Sequence, residues 1–228
     1  MTVNESYFCS CLTVDKTNEW NEERAALLLG AKWPAGSPIT IRFLGGAAAL
    51  QERVKAVAKT WTDLANLKFL WTTKAPTDIR IAFLPGKGSW SYLGTQCRHI
   101  EEPKPTMNYG WLTPDSSDDE VRRVVLHEFG HAVGLIHEHQ SPSSGGIKWN
   151  VPAVVKDLSS PPNKWDLDTI KTNMFKKYED VIATPAVDSL SIMMYPIPKA
   201  WTLDGTQAGL NAKLSDKDIE FIKKQYPK

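Results

Sequence analysis

An α+β chain of two unequal lobes is the architecture the sequence predicts, and three observations predict it. One strand, one helix and four further strand-like runs follow each other from residue 38; a second helix with clear start and stop signals closes that series; and beyond Ser141 the chain turns loop-rich before a last short helix. The expected layout is an N-terminal extension over 1–36, an upper lobe over about 37–137 with a twisted mixed five-stranded sheet and two long helices, and a loop-rich lower lobe over about 138–228 ending in a C-terminal helix.

The elements follow in order. A short helix is possible at Glu22 to Leu29, stopped by Gly30 and Pro34. Residues 38–44 (PITIRFL) alternate apolar and polar and run into Gly45-Gly46, as a strand and turn do. Between Leu50 and Leu67, Val54, Val57, Ala58, Trp61, Leu64 and Ala65 recur at helical spacing. Lys68 to Thr72 and Asp78 to Leu84 are β-prone runs separated by Pro76, and Ser89 to Thr95 and Thr106 to Trp111 supply two more. The second helix starts in Asp115-Ser-Ser-Asp-Asp-Glu120, which offers N-caps and an acidic first turn. It carries Val121, Val124, Val125, Phe129, Ala132 and Val133 on one face, and Gly134 stops it. Residues 147–213 hold many Pro, Asn, Asp and Ser, with one helix predicted around Asp168 to Tyr178. Ser215 then caps a final helix with Ile219, Ile222 and Tyr226 on its apolar face.

Composition narrows the function classes. The chain has 228 residues, 42% hydrophobic and 23% charged, with 27 basic against 26 acidic side chains and a mean hydropathy of −0.33. A balance of +1 argues against a nucleic-acid module, which normally shows a basic excess or stripe. No run approaches the roughly 20 apolar residues of a membrane span, and the first thirty residues lack the basic-then-apolar pattern of a secretory leader. Cys9, Cys11 and Cys97 are odd in number and lack the paired spacing of a cysteine zinc site. Histidine is the anomaly: of five in the chain, four are His127, His131, His137 and His139.

Residues 127–140 read HEFGHAVGLIHEHQ. On a helix, His127 and His131 lie one turn apart on one face, where two imidazoles can grip one ion. His137 could not reach that ion along a continuing helix, which would carry it roughly 15 Å up the axis. The chain must therefore turn back between 131 and 137, and Gly134 can adopt the left-handed conformation that such a turn needs. Three neutral imidazoles suit one zinc ion and leave a position open for water, the arrangement of a catalytic site. Glu128, beside the ligands, is placed to take the water proton and pass it to a leaving amine. An accidental occurrence of H-E-x-x-H-x-x-G-x-x-H at this chain's frequencies is on the order of 10⁻⁵. His139 has no such spacing argument and reads as a surface histidine or one supporting the ligands.

These residues form the extended motif of the metzincin zinc endopeptidases, and with Glu138-His139 the segment resembles the astacin branch. Ser191-Ile-Met-Met-Tyr195 resembles the astacin form of the methionine turn. The resemblance implies a metzincin-like catalytic domain over 37–228, Met193 beneath the metal, and Tyr195 as a tyrosine that ligates zinc and swings away to stabilise the tetrahedral intermediate. Leu214-Ser-Asp-Lys-Asp218 resembles a recurrent metzincin feature before the last helix. It further implies a zinc-dependent endopeptidase acting on extended protein or peptide substrates that pair antiparallel with an edge strand, here Ser89 to Thr95. An extracellular location and acidic residues after the scissile bond are also implied; Lys148, Lys171 and Lys199 are candidate walls for such a side chain. A monomer with no nucleic-acid or membrane partner is expected. The alternatives are a catalytically inactive zinc- or peptide-binding relative and a metal hydrolase of a non-protein amide. The chain departs from the astacin pattern at Gln140-Ser-Pro142, in its cysteines, and in its long polar N-terminal segment. A thiolate from Cys9 or Cys11 could fill the open zinc position and hold the enzyme latent, as against a flexible arm or local packing.

Overall fold

A computed structural model describes residues 9–12, 29–141, 147–161, 163–177 and 187–228. The strands are β1 (Cys9–Leu12), β2 (Pro38–Phe43), β3 (Lys68–Trp71), β4 (Ile79–Ala82), β5 (Ser89–Tyr92) and β6 (Met107–Tyr109), in one sheet of order β1-β5-β6-β4-β2-β3. All neighbours pair parallel except β5 with β6. The predicted five-stranded sheet therefore has a sixth strand. It comes from the N-terminal segment, where four residues are too few to show a period.

Two helices cover the sheet. Helix α1 (Ala48–Leu64) buries Leu50, Val54, Ala58 and Trp61, and packs against α2 (Asp118–Ala132). From α2, Phe129 meets Phe69 and Trp71 of β3, with ring centroids 5.3 and 6.2 Å away. The α2 start is fixed by Ser117, whose hydroxyl accepts from the Glu120 backbone N–H at 3.2 Å, with Asp118, Asp119 and Glu120 in the first turn. Its end is fixed by Gly134 at φ 101°, flanked by bonds from Gly134 N–H to the His131 carbonyl and from Leu135 N–H to the Gly130 carbonyl.

The lower lobe departs further from its prediction. Besides the expected C-terminal helix it contains α3 (Val151–Ser159), which buries Val154 and Leu158. Pro152 reads as a loop residue but sits in the first helical turn, where no N–H is needed. The helix predicted at Asp168 to Tyr178 is a short α4 (Leu167–Ile170) that widens into a π-type turn over Lys171–Phe175. Tyr178 and the segment predicted as a helix at 22–28 lie outside the described residues. The last helix, α5 (Asp216–Gln225), starts at a capping box of Ser215 and Asp218. A second apolar cluster, including Ile147, Val154, Leu158, Met174, Tyr195 and Trp201, forms the lower core. Ile192, Met193, Ile222 and Tyr226 instead join the upper core, so α5 and the methionine turn close the sheet lobe from below.

Candidate metal centre

The end of α2 and the turn after it place His127, His131 and His137 together, with ligand atoms all within 4.8 Å of one another. Each ring is oriented through its other nitrogen. Nδ1 of His127 donates to the Ile192 carbonyl at 2.7 Å, Nδ1 of His131 to the Leu135 carbonyl at 2.7 Å, and Nδ1 of His137 to Oε1 of Gln140 at 2.9 Å. With Nδ1–H as donor in all three, every Nε2 carries its lone pair toward the centre. Nε2 of His131 and of His137 are 3.1 Å apart, and Nε2 of His127 is buried without a partner. Lone pairs so placed repel each other unless a cation lies between them. Two nitrogens held about 2.0–2.1 Å from a tetrahedral zinc are about 3.4 Å apart, so the spacing fits that ion. Burial pushes all three imidazoles down, His131 to about 4, and the like charges of their neighbours push His127 and His137 the same way. The neutral form is the ligating one.

Glu128 is fully buried and neither carboxylate oxygen has a well-formed hydrogen bond. Burial raises it well above the usual carboxylate range, while the facing Cys9 thiol and the Arg123 charge act in the opposite direction. Tyr195 lies with its ring centroid 4.1 Å from that of His137, and its hydroxyl donates to the Cys9 carbonyl. Met193 sits beneath α2 against Gly130: a Cβ on that glycine would stand 2.3 Å from the Met193 sulfur. His139 is not at the surface, one of the two readings its sequence position allowed. It is wholly buried, bonds through Nε2 to the Asn173 carbonyl at 2.8 Å, and packs beside His137 and Tyr195 with centroids 5.4 and 4.9 Å away. Its burial pushes it down to about 4.

Across this centre lies β1. The edge strand expected to receive substrate, β5, is paired instead with Cys9–Leu12 of the same chain, and in the parallel sense. Cys9 faces Glu128, and burial first, then the Glu128 charge, raise its thiol. All three cysteines are free. Beside the metal ligands a recess is lined by Cys9, Arg123, His127, Tyr195, Pro196 and Asn211. None of the lysines considered from sequence lines it. Arg123, which sequence reasoning passed over, lies one turn before His127 on the same helix, a spacing that could have flagged it. Its Nε and Nη2 donate to Glu120 at 2.9 and 2.6 Å.

Comparison with known proteins agrees with this geometry. Residues 28–227 match the family model described as astacin, a peptidase family. A solved structure of myroilysin is 39% identical, covering 89% of this chain and 98% of that one, with a TM-score of 0.85. A crystal structure of myroilysin is 37% identical over 96% and 90% of the two chains, with a TM-score of 0.69. High choriolytic enzyme 1, a hatching enzyme zinc-protease from the medaka fish Oryzias latipes, shares the fold at a TM-score of 0.55 and 15% identity, covering 85% of this chain and 93% of that one. Interstitial collagenase of Bos taurus is 25% identical over 101 residues, 40% of this chain and only 22% of that protein's length.

Proposed function

Because the chain belongs to the astacin family of zinc endopeptidases, we propose that Glu128 and Tyr195 carry its peptide-bond hydrolysis at the centre formed by His127, His131 and His137. The observation that carries this reading is the orientation of the three rings: every Nδ1 is tied to an oxygen, leaving three Nε2 lone pairs convergent in a buried site. Zinc, when bound there, supplies the Lewis acidity that makes water nucleophilic near neutral pH and polarises the scissile carbonyl. Glu128, ionised once positive charge is present, accepts the proton of the attacking water and delivers it to the leaving amine nitrogen. The Tyr195 phenol, which donates to a main-chain carbonyl oxygen in the structure, donates in the same way to the substrate oxygen as negative charge grows on it. Tyr195 is also the further metal ligand that family resemblance assigns.

The test is hydrolysis of denatured casein by the zinc-loaded protein, with and without phenanthroline and beside Glu128→Ala. We expect chelator-sensitive cleavage, and zinc without turnover in the variant. Retained hydrolysis in the variant would overturn the mechanism. Arg123, paired with Glu120, is the basic side chain among the lining residues of the recess, and a substrate ladder on β5 requires β1 to leave. A monomeric chain acting on protein, with no nucleic-acid or membrane partner, fits the balanced charge; light scattering in solution checks the monomer. Among the described residues no helix is long and apolar enough to cross a membrane.

A self-occupied, latent form is supported by β1: it takes the substrate edge, engages the Tyr195 hydroxyl, and sets the Cys9 thiol against Glu128. A Cys9 thiolate delivered there would suit zinc as a soft ligand. Activity should rise sharply when residues 1–28 are removed, a cut that leaves Ala31 and Trp33 in the core, and fall again when that peptide is added back. Equal activity before and after removal sinks the idea.

A further inference from the structure

The capping residue of the last helix is joined to the metal centre by hydrogen bonds that the reaction itself does not use. Asp218 occupies the third position of α5, closing the capping box with Ser215. Its carboxylate does more than cap: Oδ2 accepts from the Ile192 backbone N–H at 2.8 Å and from the Ser215 N–H at 2.9 Å, and Oδ1 accepts from the Ser191 hydroxyl at 2.7 Å. Ile192 is thereby held at both ends of one residue. Its N–H is fixed by Asp218, and its carbonyl accepts from Nδ1 of His127 at 2.7 Å. Ser191 extends the arrangement by accepting from the Met193 N–H at 3.0 Å, and the Met193 carbonyl accepts from the Glu138 N–H at 3.0 Å, next to His137. The circuit returns through Glu138 Oε1, which accepts from Asp188 N–H at 3.0 Å, and Asp188 Oδ2, which accepts from the Ser215 hydroxyl at 2.6 Å.

We infer that Asp218 is a positioning residue for the metal centre: through the Ile192 peptide it sets the direction of His127 Nε2 and so the affinity and geometry of the bound ion. The physical reason is peptide planarity. The Ile192 carbonyl shares its peptide plane with the Met193 N–H, which is held by the Ser191 hydroxyl that itself donates to Asp218, and the preceding peptide is held at the Ile192 N–H by the same carboxylate. The acceptor that orients His127 cannot turn without breaking one of these bonds, all tied to a carboxylate on a helix 26 residues further along the chain. The inference rests on the three histidines being the zinc site, and stoichiometric zinc binding by the unaltered chain tests that premise separately.

The experiment uses the full-length protein with Asp218→Leu, which removes both acceptors while keeping the branched shape, and Asp218→Asn, which keeps one oxygen for the two N–H groups and lets the Ser191 hydroxyl turn to accept. Asp216→Asn, at an exposed position of the same turn, is the control. Zinc affinity is read by competition with a chromophoric chelator, and ligand geometry by the visible bands of the cobalt-substituted protein. Asp218→Leu should weaken zinc by about 10- to 100-fold and alter the cobalt bands. Asp218→Asn should restore most of both, and Asp216→Asn should change neither. If Asp218→Leu lowers thermal stability yet leaves affinity within about twofold of the unaltered chain and the bands unmoved, the inference is overturned. Should Asp218→Leu not fold, Ser191→Ala removes one donor to Asp218 and carries the same readouts: a shifted cobalt spectrum supports the inference, and an unchanged one rejects it.

Discussion

Two of the three imidazoles hang from α2 and the third from the chain beyond it, and the two attachments are built differently. On α2, His127 and His131 sit on a helix capped at both ends, and the carbonyl that holds His131 belongs to the helix's own terminal turn. His137 sits on extended backbone and depends on Gln140, whose amide in turn donates to the Thr172 carbonyl at 2.8 Å, and on packing against Tyr195. The position of both helical ligands and the direction of His131 are thus set by local sequence, whereas the direction of His127, through the Ile192 carbonyl, and of His137, through Gln140 and Thr172, depends on contacts made across more than thirty residues. Local order arrives with the helix. Order of the second kind requires distant segments of the chain to pack.

This difference can be broken at four places, in decreasing order of effect. Glu128→Gln, on the helical side, should lower kcat/KM by about 10²- to 10⁴-fold while zinc content stays at one per chain, because it removes proton transfer and nothing that holds metal. Equal loss of zinc would show that Glu128 is part of the ligand cage. On the other side, Gln140→Ala should weaken zinc about 10- to 100-fold in chelator competition, since it frees Nδ1 of His137; an unchanged affinity would mean that packing alone orients His137. Gly130→Ala strikes where the two sides touch, driving a methyl into the Met193 sulfur, and should cost about 1–3 kcal/mol in denaturant unfolding. The smallest effect is expected far from the centre, at Asp78 beneath β2. Burial alone would raise its carboxyl, but bonds from the Thr40 N–H and hydroxyl at 2.9 and 2.8 Å and from Arg98 at 2.7 Å hold it below its ordinary value. A depressed carboxylate adds stability that is complete above its unfolded value, about 3.9, and is lost as pH falls through the folded one. Asp78→Asn should therefore flatten the acid limb of a thermal-stability profile below about pH 4 and leave the metal site alone; an unaltered limb would show that Asp78 is not a source of the acid loss.

Legibility followed the same division. Helix α2, its stop at Gly134 and the convergence of His127, His131 and His137 could be read from spacing, because a helical period and a glycine are local signals. The burial of His139 could not, since it comes from Asn173 and Tyr195 approaching from elsewhere in the chain. Helix α3 was masked by Pro152, whose usual meaning as a breaker reverses in a first turn. Strand β1 escaped because four residues carry no period; only the surplus thiols hinted that the N-terminal segment had business at the metal. The place of Asp218 was half legible: its capping role is written in Ser215 to Asp218, its reach to Ile192 is not.

The pairing of β1 on β5 also bears on solubility. Without β1, strand β5 would be the outermost strand of the sheet on that side, with one row of main-chain groups unpaired. Such an edge accepts any extended chain, which is useful for a substrate and hazardous between copies of the same protein. While β1 stays in place it, and not β5, is the outermost strand on that flank, and its Cys9 carbonyl already accepts from the Tyr195 hydroxyl. Light scattering after removal of residues 1–28, which spares the core residues Ala31 and Trp33, should show self-association that an extended peptide suppresses; a monodisperse product without peptide would show that the bare edge protects itself.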